Sequence, residues 1–531
     1  MKLHLAHTAL FLVSLLTTGC GMRRSHSGGL EINVQALNLQ TLRDFRLDRF
    51  SQGPQAYLVI PNPIDSPQLK AFDFSPSAFQ HAQVAVGLPG LQTYSALDNS
   101  FLKIRVHSQF DSSDLLVKPQ ELTSATSNIQ DPKYSQVMAY HAVSSISDYV
   151  KALGFSIDQS RQLYVMVRSN TNPEQSTTSQ TSQEINAYYV HNTLQPQKPR
   201  YIQLFGDVQY PLGADRDVYW HEFGHLFNES ISASRGIDDA GEKGAAFTEA
   251  GAIHECLADY LSETASQKGY IGRWAARNLS DIKPNYPLRA ALSLNDSKNR
   301  FSSVATYQTS QGVPEKYDVA EWCTRVLWDI RSQFEKENKE TGAFLSDRTI
   351  FAAVGMLKKN ASLVDFKNAL LDSDKSLNQG SHVSFISNVF LTRGFPDRGT
   401  PLGQPLRLQA TAVGFKEFNN QIYSVTPNTS ADEIFFSIAI SNPNSGTARN
   451  VRAQIVSSDP AVIPYVDFQA YGDLAGGASI RITGTQYKDF LNSVSLALDK
   501  RAASGRARAR FYLKVSSENA PETTLPLELG L

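Results

Sequence analysis

The chain has 531 residues, 41% hydrophobic and 19% charged, a globular balance with apolar material for more than one core; at roughly 100 to 200 residues per domain, two to four domains are expected. The formal net charge is −1 and no long run of like charge occurs, which removes nucleic acid from the candidate partners. Three cysteines in such a length exclude a disulfide-built scaffold.

Residues 1–20, MKLHLAHTALFLVSLLTTGC, place Lys2 before an apolar run from Ala9 to Leu16 and end on Gly19-Cys20. This reads as an export signal, too short to span a bilayer stably. Its end resembles the lipobox of bacterial lipoproteins, although Thr17 and Thr18 stand where a leucine and a small residue are usual. The resemblance implies lipidation at Cys20 and a protein held on a membrane face of the cell envelope, the outer membrane where the organism has one. A plain signal peptide and a secreted product is the other reading. Residues 21–30 (GMRRSHSGGL) read as a tether. Over 31–133, runs such as QAYLVIP, QVAVGL and FLKIRVH, broken by Pro, Gly and Asp, predict a β-rich N-terminal region.

Near residue 134 the period changes, and YSQVMAYHAVSSISDYVKALGF spaces its apolar residues as a helix ended by Gly154. The strands RQLYVMVR, INAYYVH and RYIQLFG follow, with the Ser/Thr/Gln-rich stretch 169–183 as a surface loop. Helices are expected over the HEFGH segment, 245–265, 317–335, 347–360 and 362–394. Residues 134–396 thus form one α+β unit, β-rich first and helical second, with its chemistry at the join. A linker, PDRGTPLGQP, leads to residues 406–531, where EIFFSIAISN, NVRAQIVSS, ASIRITG and ARFYLKVSS predict an Ig-like β-sandwich. Cys256 and Cys323 both fall in expected helices, so a single bridge is open to them and undecided.

His221-Glu222-Phe223-Gly224-His225 is an HExxH pentapeptide. Residues four apart on a helix share a face, so both imidazoles reach one ion, and Glu222 lies within reach of a water on it. Two histidines and a carboxylate suit one zinc ion in a tetrahedral site with an open position. In EAGAIHECLADYLSE, Glu255 and Asp259 are again four apart. Glu255 is assigned to the metal, and Asp259 to the free ring N–H of a ligating histidine, most plausibly His221. His254 points about 100° away from Glu255 and is read as packing.

These motifs resemble the thermolysin and fungalysin superfamily of zinc metallopeptidases, the gluzincins, over roughly residues 134–395. EAGAIHECLAD resembles the family's glutamate helix, Asp217-Val218 precedes HExxH as the family's aspartate does, and VLWDIR resembles a fungalysin-side helix. The resemblance implies a thermolysin-like catalytic domain, with a β-rich N-terminal and a helical C-terminal lobe, acting as a zinc metalloendopeptidase on peptides or proteins. INAYY resembles the family's edge strand, so Asn186 and the main chain of Ala187 would hold an extended substrate. YPLRAAL resembles the segment whose arginine supports substrate, a role that falls to Arg289.

Two departures stand out. The family's oxyanion-stabilising histidine has no counterpart in VPEKYDVAEW; Tyr317 or Lys316 falls there, and Tyr317 is the better candidate donor. A second family donor, a tyrosine, is replaced by Ala246 or Phe247. Relatives often bind calcium near the site, and Asp217 is a ligand by resemblance, but Ca²⁺ is not assigned here; Asp238, Asp239 and Glu242 lack EF-hand spacing and read as a solvated loop. The competing reading is a catalytically weak or inactive, peptidase-like binding or adhesion lipoprotein. Oligomeric state is not legible.

Overall fold

The computed structural model describes residues 37–46, 53–69, 75–91, 96–106, 116–126, 128–169, 186–190, 199–205, 210–232, 237, 248–278, 286–291, 301, 316–395, 402–419, 421–428, 430–499, 501–502 and 507–531. Its architecture is mixed α+β, as the alternation of periods predicts. Cys20 and the export signal, Asp238, Asp239, Glu242, Ala246 and Phe247 lie outside the described residues. Among the described residues no helix is long and apolar enough to cross a membrane.

The expected strands before residue 130 are present as β1 (Gln55–Leu58), β2 (Val84–Gly87) and β3 (Leu102–Val106), but helix α1 (Leu39–Arg46) precedes them and helix α2 (Pro76–Ala82) lies between β1 and β2. Helix α3 (Pro132–Ala152) has Pro132 in its first turn, Asp131 as its cap accepting from the Lys133 N–H, and a stop at Gly154, whose φ of 99° suits glycine. It is buried on nearly every face. β4 (Leu163–Ser169), β5 (Ala187–Val190) and β6 (Arg200–Phe205) join β3 in a sheet of order β3-β4-β6-β5. β3, β4 and β6 run parallel, the β3-to-β4 crossover passing through α3. β5 is antiparallel to β6, with Ala187 opposite Leu204, and forms the sheet's edge.

Helices α4 (Arg216–Ile231), α5 (Glu249–Ser266), α6 (Lys316–Glu337), α7 (Gly342–Val354), α8 (Leu363–Asn378) and α9 (Val383–Thr392) follow. Two expectations are corrected. The helix expected over 347–360 runs from Gly342 to Val354, because Asn338 Oδ1 accepts from the Glu340 and Thr341 N–H groups in a tight turn and starts it earlier. The expected span 362–394 is two helices, because Gln379 and Gly380 take φ of 57° and 77° and end the first. One apolar core runs through all of these elements, from Leu42 to Phe395.

β7 (Arg407–Phe418), β8 (Gln421–Val425), β9 (Glu433–Ser441), β10 (Ala448–Val456), β11 (Val462–Val466), β12 (Phe468–Leu474), β13 (Ser479–Ile482), β14 (Ser495–Leu498), β15 (Arg508–Ser516) and β16 (Thr523–Gly530) form two sheets, one of order β12-β10-β15-β16 and one of order β11-β14-β9-β7-β8 with β13 paired to β9. A second apolar core, from Leu406 to Leu529, draws on strands of both, so the C-terminal region is β-rich, as the alternation predicts. In β10 (Ala448–Val456) a register shift beside Asn450 projects that residue, at φ 51°, towards the helical body. There its Nδ2 donates to Glu249 Oε2 at 3.3 Å.

Candidate metal centre

Asp215 caps α4 by accepting from the Asp217 N–H, and the helix is buried from Arg216 to Glu229. Trp220 anchors it to α3 by donating from Nε1 to Ala142 O at 2.9 Å. Thr248 caps α5 by accepting from the Gly251 N–H at 2.7 Å. The two helices approach closely at Gly224: a Cβ there would stand 2.7 Å from Ala258 Cα. A glycine inside the pentapeptide, unfavourable for a helix by about 1 kcal/mol, is explained by this crossing, which brings Glu255 to the histidines.

Three ligand atoms face one another there. His225 Nε2 lies 3.2 Å from His221 Nε2, and Glu255 Oε2 lies 3.4 Å from the first histidine's Nε2 and 3.7 Å from the second's. A tetrahedral ion with bonds of about 2.1 Å has ligand–ligand edges of about 3.4 Å, so the spacing fits zinc. Glu255 Oε2 is buried without a hydrogen-bond partner, a cost that an ion in this position would remove. Among the described residues this is the one group of three such side chains able to hold a metal.

The surrounding charges orient these ligands. Asp259 Oδ1 lies 2.8 Å from His221 Nδ1, which commits that nitrogen as donor and turns Nε2 towards the other two ligand atoms. Arg289 clamps the same aspartate, Nε to Oδ2 at 2.6 Å and Nη2 to Oδ1 at 2.8 Å. Burial alone would lower the His221 imidazole, but the Asp259 hydrogen bond and the Glu255 carboxylate raise it to about 9. Burial holds His225 well below the ordinary imidazole value, hence neutral. It also lifts Glu222 to about 7, against the pull of His221, Arg289 and the Tyr189 backbone N–H. His254 packs its ring on His225 with centroids 4.6 Å apart, and it is not in the ligand group.

Lys316, the lesser of the two sequence candidates, donates from Nζ to Glu255 Oε1 at 2.9 Å. Tyr317 is 43% exposed, with the Arg289 guanidinium 5.1 Å and Lys316 Nζ 4.7 Å from its ring centre. Burial and the negative Glu255 raise its phenol, which therefore stays protonated. Cys256 and Cys323 are bridged, joining α5 to α6 one residue past Glu255. Asp217 is buried beneath the site, 3.7 Å from Lys268 Nζ, which also reaches Asp65 at 3.0 Å, so its countercharge is a lysine.

Asn186 precedes the edge strand β5; its Oδ1 accepts from the Ala187 N–H at 2.9 Å and its Nδ2 donates to the Tyr188 hydroxyl at 2.7 Å. Tyr189, two residues further, reaches back to α4, its hydroxyl donating to Glu229 and its backbone N–H to Glu222. The sequence motifs gave no hint of the Lys316 or Tyr189 contacts, whose partners lie 61 and 40 residues away in the chain. The structure brings His221, Glu222, His225, Glu255, Asp259, Arg289, Lys316 and Tyr317 together through direct contacts or shared charge.

Residues 207–398 match the fungalysin metallopeptidase family (M36). An extracellular metalloproteinase, MEP, of Fusarium vanettenii is 24% identical over 238 residues, covering 40% of this chain and 34% of that protein. The chain therefore spans about a third of the length of this curated relative. The matched family consists of zinc-dependent metallopeptidases, which are hydrolases, and the match contains the three candidate ligands.

Proposed function

We propose that the chain is a zinc-dependent metalloendopeptidase that hydrolyses peptides or proteins outside the cytoplasm. The observation that carries this reading is the convergence of His221, His225 and Glu255 at tetrahedral spacing, with Glu222 buried beside them and raised towards neutrality. Zinc held there would supply a Lewis acid for the scissile carbonyl and bring the pKa of water towards 7.

The chain's own residues do the rest. Asp259 fixes the His221 tautomer, and Arg289 fixes Asp259. The edge strand β5, with Asn186 and Ala187 at its start, is the place for an extended peptide to add as a further strand. Glu222 accepts a proton from the attacking water and passes it to the leaving amine nitrogen. Tyr317, protonated and on the first turn of α6, is the donor to the oxygen that gains negative charge. Residues 1–20 would direct export, with Cys20 as the lipid anchor.

A second reading, a peptidase-like binding or adhesion lipoprotein, is favoured by the absence of histidine from residues 313–322. The intact Glu222 opposes it, since a scaffold has no use for a general base. Zinc analysis together with casein or peptide hydrolysis by wild type and Glu222→Gln separates the two. Peptidase function predicts bound zinc in both proteins and a loss of turnover in Glu222→Gln of about 10²–10⁴-fold. Zinc in both with no base-dependent turnover would leave only the binding role.

A further inference from the structure

The two oxygens of Glu255 have different surroundings. Oε1 accepts from Lys316 Nζ at 2.9 Å, whereas Oε2 is buried, has no hydrogen-bond partner and faces the two imidazole Nε2 atoms. A carboxylate with both oxygens free can grip an ion through one or both. Two-oxygen binding beside the attacking water would raise the shell from four to five and crowd the side on which a substrate carbonyl must approach.

We propose that Lys316 is a positioning residue that holds Glu255 to ligation through Oε2 alone and so keeps the ion four-coordinate, with one position left for water. The inference rests on the metal reading above. Its geometry is built by the helix pair: the Cys256–Cys323 bridge joins α5 and α6 with Cα atoms 5.7 Å apart, and Thr324 Oγ1 donates to Cys256 O at 3.2 Å. Lys316 lies seven residues, two helical turns, before Cys323 and so on the same face of α6. Its ammonium is steadied over the Tyr317 ring at 4.7 Å. The lysine side chain is 32% exposed at the start of its helix, so an apolar replacement meets no buried wall.

The test uses the full chain loaded with cobalt(II), whose visible absorption is intense in four-coordinate and weak in five- or six-coordinate sites. The expected result is an intense spectrum for wild type, a several-fold weaker one for Lys316→Met, and recovery in Lys316→Arg, which keeps a donor to Oε1. Zinc-loaded Lys316→Met should also lose about 10- to 100-fold in kcat, as is usual when a group supporting a ligand is removed. Lys316→Ala, with no side chain to misplace, should repeat the methionine result. Identical cobalt spectra for wild type and both neutral variants would overturn the inference while leaving the metal centre standing. A wild-type protein that takes up no cobalt would overturn the metal reading and this inference with it.

Discussion

At the residue scale, Glu222 ties burial to chemistry. Its carboxyl is raised to about 7 by burial, and a general base works only when ionised. Falling pH protonates it, so kcat/KM should fall about tenfold per unit on the acid side of one ionisation, with a midpoint at or below 7 because a bound cation favours the carboxylate. A pH–rate profile checks this; activity that is flat from pH 8 to 5 would assign the base elsewhere. The ligands were legible in the sequence because a spacing of four residues on a helix is itself a geometric statement, for His221 and His225 as for Glu255 and Asp259. Lys316 and Arg289 were less so. Their partners, Glu255 and Asp259, are 61 and 30 residues away, and no local pattern encodes such a meeting.

At the element scale, the close crossing of α4 and α5 decides whether a metal centre exists. A Cβ at position 224 would stand 2.7 Å from backbone Ala258 Cα, so Gly224→Ala must push the helices apart. Overpacking of this kind costs about 1–3 kcal/mol and the gain in helix propensity returns about 1, leaving a net loss of about 1 kcal/mol. The sharper consequence is for zinc, because Glu255 retreats with its helix. Chelator competition should show weaker binding than the change in thermal stability accounts for, and unaltered zinc affinity would contradict the role given to this crossing. The existence of α3 to α6 was readable from hydrophobic period and caps. The break at Gln379–Gly380 was missed because apolar spacing resumes beyond it, and only the left-handed backbone marks the stop.

At the scale of the whole molecule, the C-terminal β-rich region touches the helix that carries Glu255. Glu249, the first residue of α5, is buried and accepts from the Leu363 N–H at 2.8 Å and from Asn450 Nδ2 at 3.3 Å. Asn450 also donates to Glu518 at 2.8 Å, so it joins two carboxylates across the boundary between the cores. Asn450→Ala leaves Glu249 short of a donor and should lower stability by about 1–3 kcal/mol. Hydrogen exchange in the first turns of α5 should rise with it; exchange unchanged there would show that the C-terminal region does not steady this helix. The alternation of short strands foretold the β-rich C-terminal region, but not its contact with α5, which lies beside a register shift in β10.

The central claim is that one ion is held by His221, His225 and Glu255. Anomalous diffraction measured across the zinc absorption edge tests it most directly. The expected map has a single peak at about 2.0–2.2 Å from His221 Nε2, His225 Nε2 and Glu255 Oε2. A map with no peak among those three atoms, or with the ion bound elsewhere, would contradict it.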